Sequence, residues 1–170
     1  MIEVYSQLYV GNQADYDNIV AYQSDWAVVH ACKEPYHRDA LGYVGRAVSR
    51  QHPEYLVARR GDRLILNIAD ADNPMFFSKD GLIVPALDFI TDKRAEGKSV
   101  LIHRNLGESR SPAIALLYMA TRLQALPNES LSAAEGEFRK LYPAYNPKPG
   151  IRGHLQQFWP QYCAEGAQHA

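Results

Sequence analysis

The sequence predicts an α/β domain, a central and mostly parallel sheet flanked by helices, as a single unit over residues 1–170. Three observations carry that expectation. Short, nearly continuous apolar runs alternate with segments of helical period, as in sheets buried on both faces. Helical segments crowd the second half of the chain, enough to close one side of a sheet. The 170 residues are 46% apolar and 22% charged, which supports one sizeable core and excludes wholesale disorder.

The elements follow in order. Glu3–Val10 alternates apolar and polar residues and reads as one strand; it has neither the basic n-region nor the apolar h-region of a signal peptide. Asn12 caps a helix through Tyr22. Trp26–Cys32 is a buried strand. Lys33–Asp62 is long and without clear period, either a functional loop or a loop carrying an unplaced helix. Arg63–Ile68 is the third strand. Ser78 caps a helix to about Glu96 that Pro85 bends. Ser99–His103 is the fourth strand, and Ser111–Leu123, with Pro112 in its first turn, is a strong helix. Helices over Asn128–Leu141 and Gly150–Tyr162 complete the count, and the end, AEGAQHA, is expected to fray.

Composition narrows the function classes. With 18 basic against 19 acidic residues the net charge is -1, which leaves no electrostatic footprint for nucleic acid or an anionic membrane. The longest apolar run, Pro112 to Ala120, is too short to span a bilayer. Two cysteines, Cys32 and Cys163, exclude a disulfide scaffold or a cysteine zinc site. Cys32 is expected to be a buried free thiol and Cys163 exposed. His30, His37 and His52 lack metal-ligand spacing, so no metal and no cofactor is expected. Arg59, Arg60 and Arg63 read as a solvated turn around Gly61, with a patch that steers phosphorylated partners as the alternative. The expectation is a soluble, cytoplasmic protein.

The chemistry lies in SVLIHRNLGESRSPAIALLYMA, Ser99 to Ala120. A buried strand ends at His103, seven residues follow, and a helix begins at once. Such a unit aims backbone amides and the positive end of a helix into one concavity. Gly107 tolerates the positive φ that the turn needs. Arg110 offers a planar fork to two oxygens of an anion, and Ser109 and Ser111 add hydroxyls. An ordinary strand-to-helix turn with a capping serine is the plainer alternative.

HRNLGESRS resembles the phosphate-binding loop of the cysteine-dependent dual-specificity phosphatases, His-Cys-x-x-Gly-x-Ser-Arg-Ser, with Arg104 where the family has its nucleophilic cysteine. QLYVGN, Trp26–Ala31, Leu64–Asp72 and Tyr142–Gly150 with Asn146 resemble further family segments, so the likeness covers most of the chain. The resemblance implies the following roles. Loop residues Arg104, Asn105, Leu106, Gly107, Glu108, Ser109 and Arg110 cradle the phosphoryl oxygens. His103 orients the loop, Ser111 assists departure of the thiolate, and Ser109 braces the loop. Asp72, favoured over Asp70 by its spacing from the loop, protonates the leaving oxygen. The implied partner is a phosphorylated protein or a small phosphomonoester, with phosphate or sulfate in the loop. Asn105, Leu106 and Glu108 are not basic, which argues against polyphosphorylated lipid or inositol substrates.

Arg104 alters that expectation. A guanidinium stays protonated and does not attack phosphorus. Losing the nucleophile cost another hydrolase about a million-fold in turnover, so this chain is expected to be inactive. Exchanging thiolate for guanidinium shifts the pocket by two charges in an anion's favour, each worth on the order of 4 kcal/mol at about 4 Å and an effective dielectric near 20. Against that, the larger side chain fills the phosphate position, props the loop open or swings into solvent; the sequence leaves open whether it blocks or aids binding, and a distorted loop is expected ahead of an enhanced binder. Retention of Asp72, His103, Gly107, Arg110 and Ser111 favours a disabled enzyme; a natural pseudophosphatase that binds phosphosites or acts as a scaffold is the alternative.

Overall fold

The computed structural model describes residues 1–168. Six strands form one sheet: β1 (Ile2–Tyr5), β2 (Leu8–Gly11), β3 (Trp26–His30), β4 (Val57–Arg60), β5 (Arg63–Leu66) and β6 (Ser99–His103), in the order β1-β2-β6-β3-β5-β4. The four inner strands β2, β6, β3 and β5 run parallel, and an antiparallel partner closes each edge. β3 and β6 are nearly continuous apolar runs because both neighbours and both faces cover them.

The single strand expected over Glu3–Val10 is a hairpin. The chain reverses at Ser6–Gln7, where Gln7 takes a positive φ of 59°, and β1 folds back on β2. The basic turn around Gly61 is a second hairpin, joining β4 to β5. Lys33–Asp62 holds both alternatives: an irregular stretch, plus a turn at Lys33–His37 that runs into a one-turn helix α2 (Arg38–Leu41), with β4 at its far end.

Two layers cover the sheet. One face carries the main core: α3 (Val84–Ala95), α4 (Arg110–Thr121), α5 (Leu131–Leu141) and α6 (Pro149–Ala167) pack on Leu8, Val10, Val29, Leu64, Val100 and Ile102. The other face, with Val28 and Leu101, has a thinner cover from α1 (Gln13–Asn18), the turn at Val20–Tyr22 and α2. Every residue of α4 is buried, which its apolar sequence requires. Asn12 caps α1 as expected, in a reciprocal box with Asp15. Pro85 opens α3 rather than bending it, after a wide turn that Ser78 caps. Ser130, not Asn128, caps α5.

α6 runs five residues beyond its expected end. Gly166 explains this: a Cβ there would sit 2.2 Å from the Thr121 carbonyl oxygen, so only glycine lets α6 close onto the end of α4. The tail is therefore ordered through Ala167; its last two residues lie outside the described range.

Candidate functional site

The loops leaving β3, β5 and β6 meet at the carboxyl edge of the sheet, the place where open α/β sheets bind ligands. A cavity of about 140 Å³ opens there, lined by Cys32 and Lys33 after β3, Ile68 and Asp70 after β5, Asn105 from the loop between β6 and α4, and Arg110 at the start of α4.

That loop, residues 104–109, is held from outside. The Tyr142 hydroxyl donates to the Gly107 carbonyl at 2.6 Å, the Asn146 amide to the Glu108 carbonyl at 2.7 Å, and the Gln13 amide to the Asn105 carbonyl at 3.4 Å. The Lys148 amide donates to Ser109 Oγ at 2.9 Å. A peptide C=O and the next N–H point opposite ways. Carbonyls bonded outward at Asn105, Gly107 and Glu108 thus turn the amides of Leu106, Glu108 and Ser109 away from those partners. Among the described residues, no amide from Asn105 to Ser109 donates to a protein acceptor. Gly107 has φ 77°, and a Cβ there would lie 2.8 Å from the Gly11 carbonyl oxygen, so the loop needs glycine for conformation and for its approach to β2.

Arg104 turns inward. Its side chain is 8% exposed, and its Nη2 lies 2.9 Å from one carboxylate oxygen of Asp70. Arg110 Nε lies 3.1 Å from the other oxygen, and Arg110 Nη1 donates to the Ile68 carbonyl. Burial lowers the proton affinity of Arg110, and the Asp70 carboxylate works against that shift. The Nε groups of both arginines and Ser111 Oγ are buried without a hydrogen bond among the described residues.

The two candidate acids separate clearly. Asp70 is engaged by both guanidiniums, while Asp72 is exposed and has no ion pair among the described residues. α6 fixes the segment that carries them. A Cβ on Gly150 would sit 1.7 Å from the Ala71 carbonyl oxygen, so glycine in the first turn of α6 seats that segment against the helix.

Beneath the loop lies a polar cluster that sequence reasoning missed. β3 and β6 are in register with His30 opposite His103, and His30 Nδ1 is 2.6 Å from His103 Nε2. Arg63 Nε donates to His30 Nε2 at 2.9 Å. His30 therefore carries its proton on Nδ1 and gives that hydrogen bond to His103. Tyr16 stacks on His103 at 5.2 Å and Tyr36 on His30 at 4.3 Å. Burial pushes the His103 ring down to about 4, against the raising effect of the Arg104 backbone. Burial also pulls His30 well below its usual range, helped by His103 and Arg63. The pair is neutral near pH 7. The signal was two histidines closing adjacent strands, which gains meaning only with the register.

The remaining residues fall in place. Arg59 lies over the Phe89 ring at 5.3 Å, Arg60 pairs with Glu54 at 2.7 Å, and Arg63 serves His30, so the basic turn is not a free cationic patch. Cys32 is a buried thiol, pushed up to about 12 by burial although Arg110 and Arg104 pull the other way. Cys163 is half-buried rather than exposed. No group of three or more metal-ligating side chains occurs among the described residues, and no helix among them is long and apolar enough to cross a membrane.

No family model matches the chain, and no curated protein does. Solved structures do. The human tyrosine phosphatase-like serine/threonine/tyrosine-interacting protein superposes with a TM-score of 0.66 at 20% identity, over 95% of this chain and 97% of that one. DUSP15 gives a TM-score of 0.61 at 20% identity over 100% and 96%, and PTPMT1 in complex with PI(5)P gives 0.59 at 14% over 96% of each. Strand order, the loop between β6 and α4, and these superpositions agree: the chain has the dual-specificity phosphatase fold.

Proposed function

We propose that this chain is a phosphatase-like protein whose ancestral reaction is phosphate monoester hydrolysis through a cysteinyl-phosphate, and that with Arg104 in the nucleophile position it binds an oxyanion without cleaving it. The observation that supports this is the meeting of Arg104 and Arg110 on a single carboxylate at the mouth of an externally braced loop. Two guanidiniums favour a bound anion, and neither attacks phosphorus. Loop amides and Arg110 would hold the equatorial oxygens. His103 would position the loop from below. Asp72, free of the guanidiniums, would be the proton donor to the leaving oxygen in the ancestral reaction, and Ser111 would have faced the missing thiolate.

Restoring the nucleophile tests the enzymatic part. The native chain is expected to show no turnover of an aryl phosphate, and Arg104→Cys to recover it. If Arg104→Cys keeps the native circular dichroism and stays inert, the disabled-enzyme reading fails. A second reading, a natural phosphosite-binding module in the cytoplasm, draws support from the inward, paired Arg104. It expects affinity for a phosphopeptide that Arg110→Ala abolishes, and equal binding by both proteins would refute it.

A further inference from the structure

We propose that Asp70 is an internal competitor for the oxyanion seat: its carboxylate occupies the two guanidiniums in the free protein, and a phosphomonoester or free phosphate binds by displacing it. The proposal rests on the oxyanion seat of the preceding section and adds the residue that sets its affinity.

Three observations carry it. First, the two oxygens of one carboxylate each face a different arginine, Arg104 at 2.9 Å and Arg110 at 3.1 Å, so Asp70 stands where an anion gripped by both would stand. Second, the grip is incomplete. Arg110 Nε is near Asp70 but off the line that a hydrogen bond needs, and Arg104 Nε and Ser111 Oγ are buried without a partner among the described residues. A tetrahedral oxyanion brings more acceptors than a planar carboxylate and answers those orphaned donors. Third, the competitor can leave. Its side chain is 27% exposed, on a segment at the rim of the 140 Å³ cavity, whereas both arginine side chains are under 10% exposed. Departure of Asp70 alone would strand two buried cations, which is costly; departure in exchange for a dianion does not. The site is thus closed by its own carboxylate until a ligand of higher charge arrives.

Binding of inorganic phosphate at fixed ionic strength tests this, by calorimetry on the native chain, Asp70→Asn, Glu34→Gln and Arg110→Ala. Glu34 lines the same cavity, but its carboxylate is bound to Arg38, so Glu34→Gln removes a nearby charge without freeing either guanidinium of the seat. Asp70→Asn should bind phosphate at least about tenfold more tightly than the native chain, and Glu34→Gln less than about twofold more tightly. Equal or weaker binding by Asp70→Asn, or an equal gain in Glu34→Gln, overturns the proposal. Native binding that Arg110→Ala abolishes, with no gain in Asp70→Asn, refutes the competitor and leaves the oxyanion seat standing. No binding by either the native chain or Asp70→Asn refutes both. Carbon NMR of the native protein answers even if Asp70→Asn fails to fold. The Asp70 carboxyl signal should move during the phosphate titration with the same midpoint as the Arg104 and Arg110 Nε signals, and arginine signals that move without it overturn displacement.

Discussion

Mild acid should weaken this protein through histidines that the fold keeps neutral. His103 lies under the candidate loop, and His154 lies between Phe77 and Phe158 with its Nε2 2.7 Å from the Tyr162 hydroxyl. Both are fully buried, and burial lowers each from 6.5 to about 4. Below pH 6.5 the unfolded chain takes up protons that the folded chain refuses, so stability falls as pH falls, until the folded rings protonate near pH 4. At pH 5 the solution is 1.5 units below the free value of 6.5 and still above the folded value of each ring. At about 1.36 kcal/mol per unit, that costs about 2 kcal/mol per ring, or about 4 kcal/mol for both. His30 and His37 shift in the same direction and add to the loss. With a urea slope of about 2 kcal/mol per molar, the unfolding midpoint, followed by fluorescence of Trp26 and Trp159, should fall by about 2 M between pH 7 and pH 5. His154→Gln, which keeps a polar partner for Tyr162, should reduce that fall by about 1 M. A midpoint that holds or rises down to pH 5 would refute the neutral burial of these rings.

Two substitutions probe the scaffold of the site. Tyr142→Phe leaves the buried Gly107 carbonyl without its donor and should cost about 1–3 kcal/mol in urea unfolding, with weaker phosphate binding as the loop loosens. Gly166→Ala forces a Cβ against the Thr121 carbonyl, and overpacking of about 1–3 kcal/mol should lower the thermal midpoint by several degrees, read by circular dichroism.

What the sequence disclosed follows from how local each feature is. The strand, loop and helix around Gly107 and Arg110 are contiguous, so their residue types alone predict a cradle, and Ser99–His103 matches β6 at both ends. The two edge hairpins were less legible. The turn at Ser6–Gln7 contains no glycine, asparagine or proline, so nothing local interrupts the alternating pattern of Glu3–Val10. β4 is VARR, an edge strand half exposed and rich in arginine, without the apolar alternation that marks a strand. Spacing favoured Asp72 but could not say which carboxylate reaches Arg110. That depends on how the chain leaves β5 and on Gly150 seating Ala71 against α6, a contact between residues 79 positions apart. His30 and Arg63 stayed hidden for the same reason, since their roles exist only in the register of β3 with β6 and β5.

The charge count at the seat links the missing nucleophile to the inward arginine. In the family pattern a thiolate and one arginine cancel. Here two guanidiniums meet one carboxylate, and the sum is a single positive charge on a wall that water scarcely reaches. Such a wall is expensive unless its charges are paired. Asp70 meets half of that demand and leaves one unit over. A monoanion in its place would leave the same remainder. A dianion would cancel it and supply acceptors for the orphaned Nε donors. On the proposed reading, the exchange that removes the nucleophile would also favour the dianionic form of a phosphomonoester over a carboxylate, by one net charge in a poorly screened site.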